Sequence, residues 1–523
     1  MKLSISEYIK KNFISFIISV LFSLACFSFM LTHNMVLIDE EFHLTESSDP
    51  SIFLGASRFT NYLLAKIFWN GRIIPFFTDF FALILWNVSA FIIYYPFYSK
   101  EHTFAQKTFA FSYFSTIPYS VGESFAFSEQ ILEVACAMVF TSCAFVLTVF
   151  MCESNEKNKS AAAKIITGVV ISILLLTLAI GSYQALVCVY VTAIVAFCLK
   201  KRLDDEAFLR ILIYGGGICV ISVGLYELVN LIVLGVVNGG GYLSDNYIGW
   251  KDGDILRTAA LSIANVLRVS LAIPVGDEKI YSGLPICVLT ALFSIFAISS
   301  AQRRNKASER LQILFLSLGL IFSPFCIYIA MGSYRTHGRT LPALSVAGMM
   351  EMLFIISYFR GRVSHKVILI ICALMLVSNF IGMNLIYEKA YESYVEDSRI
   401  ADELIRRIKE FAAGDDDITV VFVGAYDRPV KISPVNVTLG ASFFEWDGGD
   451  NQRLNAFFSH RGFEYREPDG DEFFLALDLC FDMNMYPEVG SIKKEGDLIV
   501  VYFSPPEYKW FLSNGKYYDN FGL

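Results

Sequence analysis

The stretch LIDEEFHL, Leu37 to Leu44, sets Asp39, Glu40 and Glu41 side by side directly after a long apolar run. Adjacent carboxylates supply a general base when one of them meets a hydroxyl whose proton must leave. Arginines stand further along: Arg58 and Arg72 soon after the acids, then Arg335 and Arg339 within SYRTHGR, with His337 between them. A guanidinium offers a planar fork of donors that matches a phosphate. Together these are the parts needed to move a group off a phosphate. The leaving oxygen departs as a stable anion and needs little acid help. Cations hold it, and one carboxylate takes the acceptor's proton. The plainer reading of each acid is a solvated collar on a helix end, and Arg58 and Arg72 read equally as interfacial side chains with extended stems. Glu41 is the acid expected to point away from its neighbours into solvent.

What must position these groups is an apolar body. The chain has 523 residues, 55% of them hydrophobic and 15% aromatic, with a net charge of −8. Uncharged stretches of about 18 or more residues read as membrane spans. Such runs lie near 13–31, 73–98, 108–122, 131–151, 165–181, 184–199, 211–236, 283–300, 311–330, 341–359 and 367–386, eleven in all. The first follows Lys10 and Lys11 and lacks a small-residue cleavage pattern, so it reads as a retained signal anchor. YSKEHTFAQK, NEKNKSAAAK, KKRLDDEAFLR, AQRRNKASER and RGRVSHK fall on one side of these spans and are rich in Lys and Arg. The positive-inside rule makes that side cytoplasmic. The N-terminus is then cytoplasmic, and the acids, the arginine-bearing loops and the C-terminal tail lie outside.

The expected division is a spanning body, 1–386, with outer loops 32–72 and 237–282, followed by a small outer α/β domain, 387–523. In the tail, residues 388–412 carry apolar side chains at helical spacing, and ITVVFVGA and DLIVVYF are compact β-rich runs. There is no dense basic block, which argues against nucleic acid as a partner. No CxxC occurs, and ten of the eleven cysteines sit in or beside apolar runs, so they read as buried thiols. His43 and His337 have no metal-binding spacing, and no metal or other cofactor is expected. Tyr183 and Gln184, in GSYQA, fall at an outer helix turn and read either as a tight hairpin or as sugar-facing groups.

Several stretches, taken in order, resemble the Gtr type II family of membrane glucosyltransferases that modify O-antigen and convert serotype in Gram-negative bacteria. They are LIDEEFH, GASRFTNYLLAKIFWNGRIIPF, GSYQALVCVYVTA, YRTHGRTLPAL, FEWDGGDNQRLNAFFSHRGF and MYPEVGSIKKEGDLIVVYF. Ile73 stands where such proteins usually carry an aromatic after the Gly-Arg pair. The resemblance implies an α-helical polytopic membrane protein of the GT-C type, acting at the periplasmic face of the bacterial inner membrane. It implies that glucose passes, with inversion, from undecaprenyl phosphate to a sugar of the lipid-linked O-antigen, with membrane lipid around the site. The family pattern places the base at Asp39 or Glu40. It gives the donor phosphate to basic residues of later outer loops, of which Arg335 and Arg339 come first and Arg72 and Arg58 next, and Glu41, Tyr183, Gln184 and His337 are the substrate-facing candidates. In the tail, Glu445, Trp446 and Arg453 are candidates for gripping the acceptor. The competing classes are a flippase or transporter of a lipid-linked sugar and an O-antigen polymerase. A transporter would show charges and broken helices at mid-span and an internal repeat.

Overall fold

The computed structural model describes residues 4–44, 49–68, 73–153, 159–237, 248–273, 280–281, 283–333, 337–361, 364–414, 417–429 and 439–517. The described chain divides into two compact units. The first holds the residues up to Thr32 and those between Asp49 and Leu385. The second joins the residues from His33 on, through the acid triplet, to the tail from Ile386.

The first unit is helical. Among the described residues, seven helices are long and apolar enough to cross a membrane: Ile5–Cys26, Pro75–Phe97, Ile131–Glu153, Ala163–Ile180, Leu209–Val237, Gly283–Gln302 and His365–Ala412. Ala343–Phe359 is a shorter apolar helix. The other expected spans differ for local reasons. The run at 108–122 is a helix only over Phe104–Phe114, and Pro118 then opens a wide π-type turn to Gly122. Ala307–Phe322 stops before Pro324, and Leu186–Leu203 ends in Lys200, Lys201 and Arg202. Among the described residues, seven of the eleven expected runs therefore form helices that meet both the length and the composition of a span.

The packing is that of helices in lipid. Ile9, Phe13, Leu21, Phe76, Phe77, Ile213, Val220, Leu231 and Ile232 are exposed, as suits helices facing hydrocarbon. The buried face of the first helix is instead small and polar: Asn12, Ser15, Ser19 and Ser23. Asn87 anchors it, its Oδ1 accepting from Ser19 and Ser23 at 3.2 Å each and from Ser115 at 2.9 Å. Small residues bring backbones close, and their hydroxyls find partners on the neighbouring helix, the usual logic of helix association in bilayers.

The second unit carries a three-stranded mixed sheet in the order β1–β3–β2, with β1 Thr419–Val423, β2 Ile492–Glu495 and β3 Leu498–Tyr502. β2 and β3 form a hairpin through Gly496 and Asp497, and Gly496 takes a positive φ of 60° there. β1 runs parallel to β3, so the chain between them must cross over; it does so through Asn451–His460 and Gly470–Leu479. Val420, Phe422, Ile499 and Val501 face a core built from Ile400, Leu404 and Ile408 together with Leu454, Phe457 and Phe458. Val421, Val423, Leu498 and Val500 face Phe473, Ala476 and Trp510 on the other side. Alternate side chains thus enter two apolar layers, which explains why β1 is buried at every position.

The segment 388–412 is a corrected boundary. The expected last span and the amphipathic helix after it are one helix, His365–Ala412, because nothing between them breaks it. No proline occurs from 365 to 412, and the single glycine there, Gly382, lies inside the apolar part.

Candidate functional site

The acids at 39–41 belong to the second unit, and its core explains their placement. Val36 and Ile38 are 1% exposed and sit in the same apolar cluster as Ile400, Leu404 and Phe457. With those two side chains anchored, the chain turns at Asp39, which adopts a left-handed φ of 82°. Aspartate tolerates that conformation far better than a branched or bulky residue. A short helical turn, Glu41–Leu44, follows.

The three carboxylates meet three different environments. Arg453, from the Asn451–His460 helix, holds two of them: its Nη2 donates to Asp39 Oδ1 at 2.7 Å and its Nη1 to Glu41 Oε1. The same guanidinium lies 5.4 Å from the Phe42 ring centre and 3.7 Å from Asp447 Oδ2. Asp39 keeps 42% of its side chain exposed. Glu40 is buried, and its Oε2 accepts from the Leu37 N–H at 2.9 Å, closing the turn. Glu41, expected in solvent, is fully buried, and its Oε2 has no hydrogen-bond partner. Burial pushes the Glu41 carboxyl up to about 8, outweighing the nearby Arg453, which lowers it. The Arg453 guanidinium is held in its charged form by Glu41 and Asp39 against its own burial. His43 is buried close by and shifted down by that burial.

Arg453 therefore sits on the acid triplet. Glu445 is likewise engaged within the unit, accepting from the Arg428 backbone and side chain at 3.3 and 3.4 Å. Arg428 is buried and also donates to Asp397 at 3.2 Å and Ser393 at 2.8 Å, while Asp397 accepts from Ser442 Oγ and the Phe443 N–H, both at 2.8 Å. Burial raises Asp397 to about 7. This network ties the long helix to the 439–445 segment just before the Arg453 helix. Gly449 fits because a Cβ there would stand 2.3 Å from the Gly424 carbonyl oxygen, and its φ is 96°. Lys509 lies 5.9 Å from the Trp446 ring centre.

The remaining candidates that are described lie in the first unit. Arg72 and Arg335 fall outside the described residues. Arg58 Nη1 donates to Gln130 Oε1, and its guanidinium lies 5.5 Å from the Tyr183 ring centre. Gln184 Nε2 donates to the Ser57 carbonyl at 3.1 Å and to Tyr226 Oη at 2.9 Å, and Tyr226 also donates to Ser57 O. The GSYQ turn is thus cross-linked to the Arg58 segment, and the Thr60 N–H adds a bond to Gly181 O at 3.0 Å. Arg339 lies 3.9 Å from Glu123 Oε1 and 4.3 Å from the Phe127 ring centre. His337 precedes the tight turn Gly338–Thr340 and accepts from Thr340 Oγ1 through its carbonyl at 2.7 Å.

Sequence reading missed the acids on the other side of these contacts. Glu123, Glu129 and Glu133 are buried within VGESFAFSEQILE, and Asp79 is buried near the start of its helix and accepts from Ser128 Oγ at 3.2 Å. Their signal was four acids at the borders of apolar runs, where long polar side chains normally reach water. The close approach at Gly338 holds one of them in place. A Cβ there would lie 1.8 Å from the Tyr119 carbonyl oxygen and 2.7 Å from Glu123 Oε2. Gly338→Ala should therefore cost about 1–3 kcal/mol by overpacking. Thermal melts of the purified chain should show it, and an unchanged melt would refute the close contact.

Among the described residues no cluster of three or more His, Cys, Asp or Glu side chains is arranged to hold a metal ion. No curated protein and no solved structure matches the chain. A family model described as "Glucosyl transferase GtrII" matches residues 27–357, more than half of the chain and including the acid triplet, the Arg58 segment, the GSYQ turn and Arg339, and the protein belongs to that family of glucosyltransferases.

Proposed function

We propose that the protein is an inverting glucosyltransferase that moves glucose from undecaprenyl phosphate to a sugar of the lipid-linked O-antigen at the periplasmic face of the inner membrane. The observation that carries this reading is Asp39: a half-exposed carboxylate, fixed by Arg453 at 2.7 Å, in a glucosyltransferase chain. Asp39 takes the proton of the acceptor hydroxyl as that oxygen bonds to the anomeric carbon. The bond from that carbon to the phosphate oxygen breaks on the opposite face, which inverts the centre. The phosphate leaves as an anion, so no acid is needed on that side. Glu40 acts through the turn it closes at Leu37. Arg58, Arg72, Arg335 and Arg339 are proposed to steady the phosphate, since charge accumulates there as the bond breaks. Glu41, Tyr183, Gln184 and His337 are proposed to face the sugars, and the charge bias of the loops supports an outer placement.

Mass spectrometry of lipopolysaccharide from cells with and without the chain tests this. The expected result is a gain of one hexose per O-antigen repeat, lost when synthesis of the polyprenyl-phosphate glucose is blocked. Unchanged masses alongside movement of the donor between leaflets would replace the reading with a flippase.

A further inference from the structure

Within the first unit, a cavity of about 440 Å³ opens at the end of the helix bundle that carries the Lys- and Arg-rich loops. Its wall comes from Tyr98–Gln106, from the ends of Leu186–Leu203 and Gly283–Gln302, and from Leu353–Arg360. None of these residues belongs to the candidate site described above. The floor is apolar, with Phe97, Phe296 and Phe354, and the rim is polar, with Ser99, His102, Ser357 and Tyr358. A volume of this order suits a small ligand or a lipid headgroup.

The telling group is Lys200. Its ammonium donates to the Pro96 carbonyl at 3.0 Å and lies 5.5 Å from the Phe197 ring centre, and the charges of Asp204, Glu153 and Glu206 only partly offset the burial that lowers it. A partly buried cation whose neighbouring carboxylates do not offset its burial gains from a further anion. Arg360 stands on the same wall, its Nη1 donating to the Glu101 carbonyl. Two carboxylates also line the cavity. Glu101 is 85% exposed and lies 3.9 Å from Arg360, while Asp204 is an exposed residue at the helix end. Of the two, Asp204 acts on Lys200 through its charge, from the exposed end of the helix. The field inside is positive: Lys200, Lys107 and Arg360 all add to the burial that lowers His102 to about 4. His102 is therefore neutral at pH 7, with Nδ1 2.6 Å from Tyr94 Oη.

We propose that this cavity binds a phosphate ester, with Lys200 and Arg360 on the phosphate and the phenylalanine floor under the adjoining carbon chain. Basic pockets between helices on the cytoplasmic side of membrane proteins hold phosphate-bearing lipid headgroups by the same combination of charge and apolar wall. A water-soluble phosphate ester offers the same phosphate without the chain.

The test uses the full-length protein in detergent and two probes, phosphatidylglycerol and glycerol 1-phosphate, with bound ligand counted by native mass spectrometry. Lys200→Gln and Arg360→Gln should each weaken binding about tenfold, the scale of a lost charge-assisted contact, and Lys200→Arg should retain it. Loss seen with phosphatidylglycerol alone assigns the site to lipid. Loss seen also with glycerol 1-phosphate assigns it to the phosphate itself, whatever its source. Arg360 is half exposed at the rim, so Arg360→Gln keeps the test open if Lys200→Gln fails to fold. If neither probe distinguishes the variants or their double combination from the parent chain, the proposal is overturned.

Discussion

Asp39→Asn is expected to lower glucosyl transfer by about 10²–10⁴-fold, the usual contribution of a positioned general base. The substitution is a clean one. Asparagine tolerates the left-handed φ of 82° as aspartate does, so the turn after Ile38 should survive. Its side-chain oxygen can still accept from Arg453 Nη2, leaving only the proton-accepting charge removed. Glu40→Gln makes the contrast. Its amide oxygen can still accept from the Leu37 N–H, and transfer should fall by about tenfold at most, well short of the loss of a base. The measurement is transfer from polyprenyl-phosphate glucose in vesicles, with membrane insertion checked in parallel. The opposite ranking, Glu40→Gln dead and Asp39→Asn active, would move the base one residue along.

Arg453→Ala carries the second large effect. Glu41 has no exposed surface, and one of its oxygens has no partner even in the intact protein. Removing the guanidinium takes away the donor to Glu41 Oε1 and leaves a fully buried carboxyl unsatisfied on both oxygens, which costs about 1–3 kcal/mol. Asp39 loses its 2.7 Å contact at the same time, so activity should fall with stability. Arg453→Lys should recover part of both, because one ammonium cannot serve two carboxylates as a fork does. If Arg453→Ala melts and turns over like the parent, the clamp has no role.

The same burial sets a pH dependence. Glu41 is raised to about 8 in the fold, whereas a free glutamate titrates near 4.3. Between these values the folded chain holds a proton that the unfolded chain has lost. Stability from this group is therefore complete at acid pH, below the unfolded value, and is lost as pH rises toward 8. Glu41→Gln, which cannot titrate, should flatten that decline in thermal melts taken from pH 5 to 8. An identical slope in both proteins would show that the carboxyl does not titrate in this window.

Much of the secondary structure was readable along the chain. The apolar runs at 73–98, 131–151, 211–236 and 283–300 appear as helices long enough to cross a membrane, since length and composition are local properties. ITVVFVGA and DLIVVYF appear as β1 and β3. Less readable was where an element ends. Pro118 cut one expected span short, and the absence of a breaker near residue 386 fused two expected helices into one. Least readable were the pairings. Arg453 lies 414 residues from Asp39, and no period or spacing links them. The Glu123–Arg339 contact is hidden in the same way, between two loops that each read as wet.

By itself the sequence determined that the chain is mostly apolar helix and that a β-bearing tail follows, and it marked three acids and a few arginines as candidates for the chemistry. Hydrophobic periodicity and run length are carried by neighbouring residues, so they survive without coordinates. Only the tertiary structure decided that the three adjacent acids are not equivalent. Val36 and Ile38 anchor in the core of the tail and fix the turn, which directs Glu40 and Glu41 inward and leaves Asp39 half in solvent. Burial and the choice of partner depend on residues hundreds of positions away, and it is burial that sets the cost of each charge.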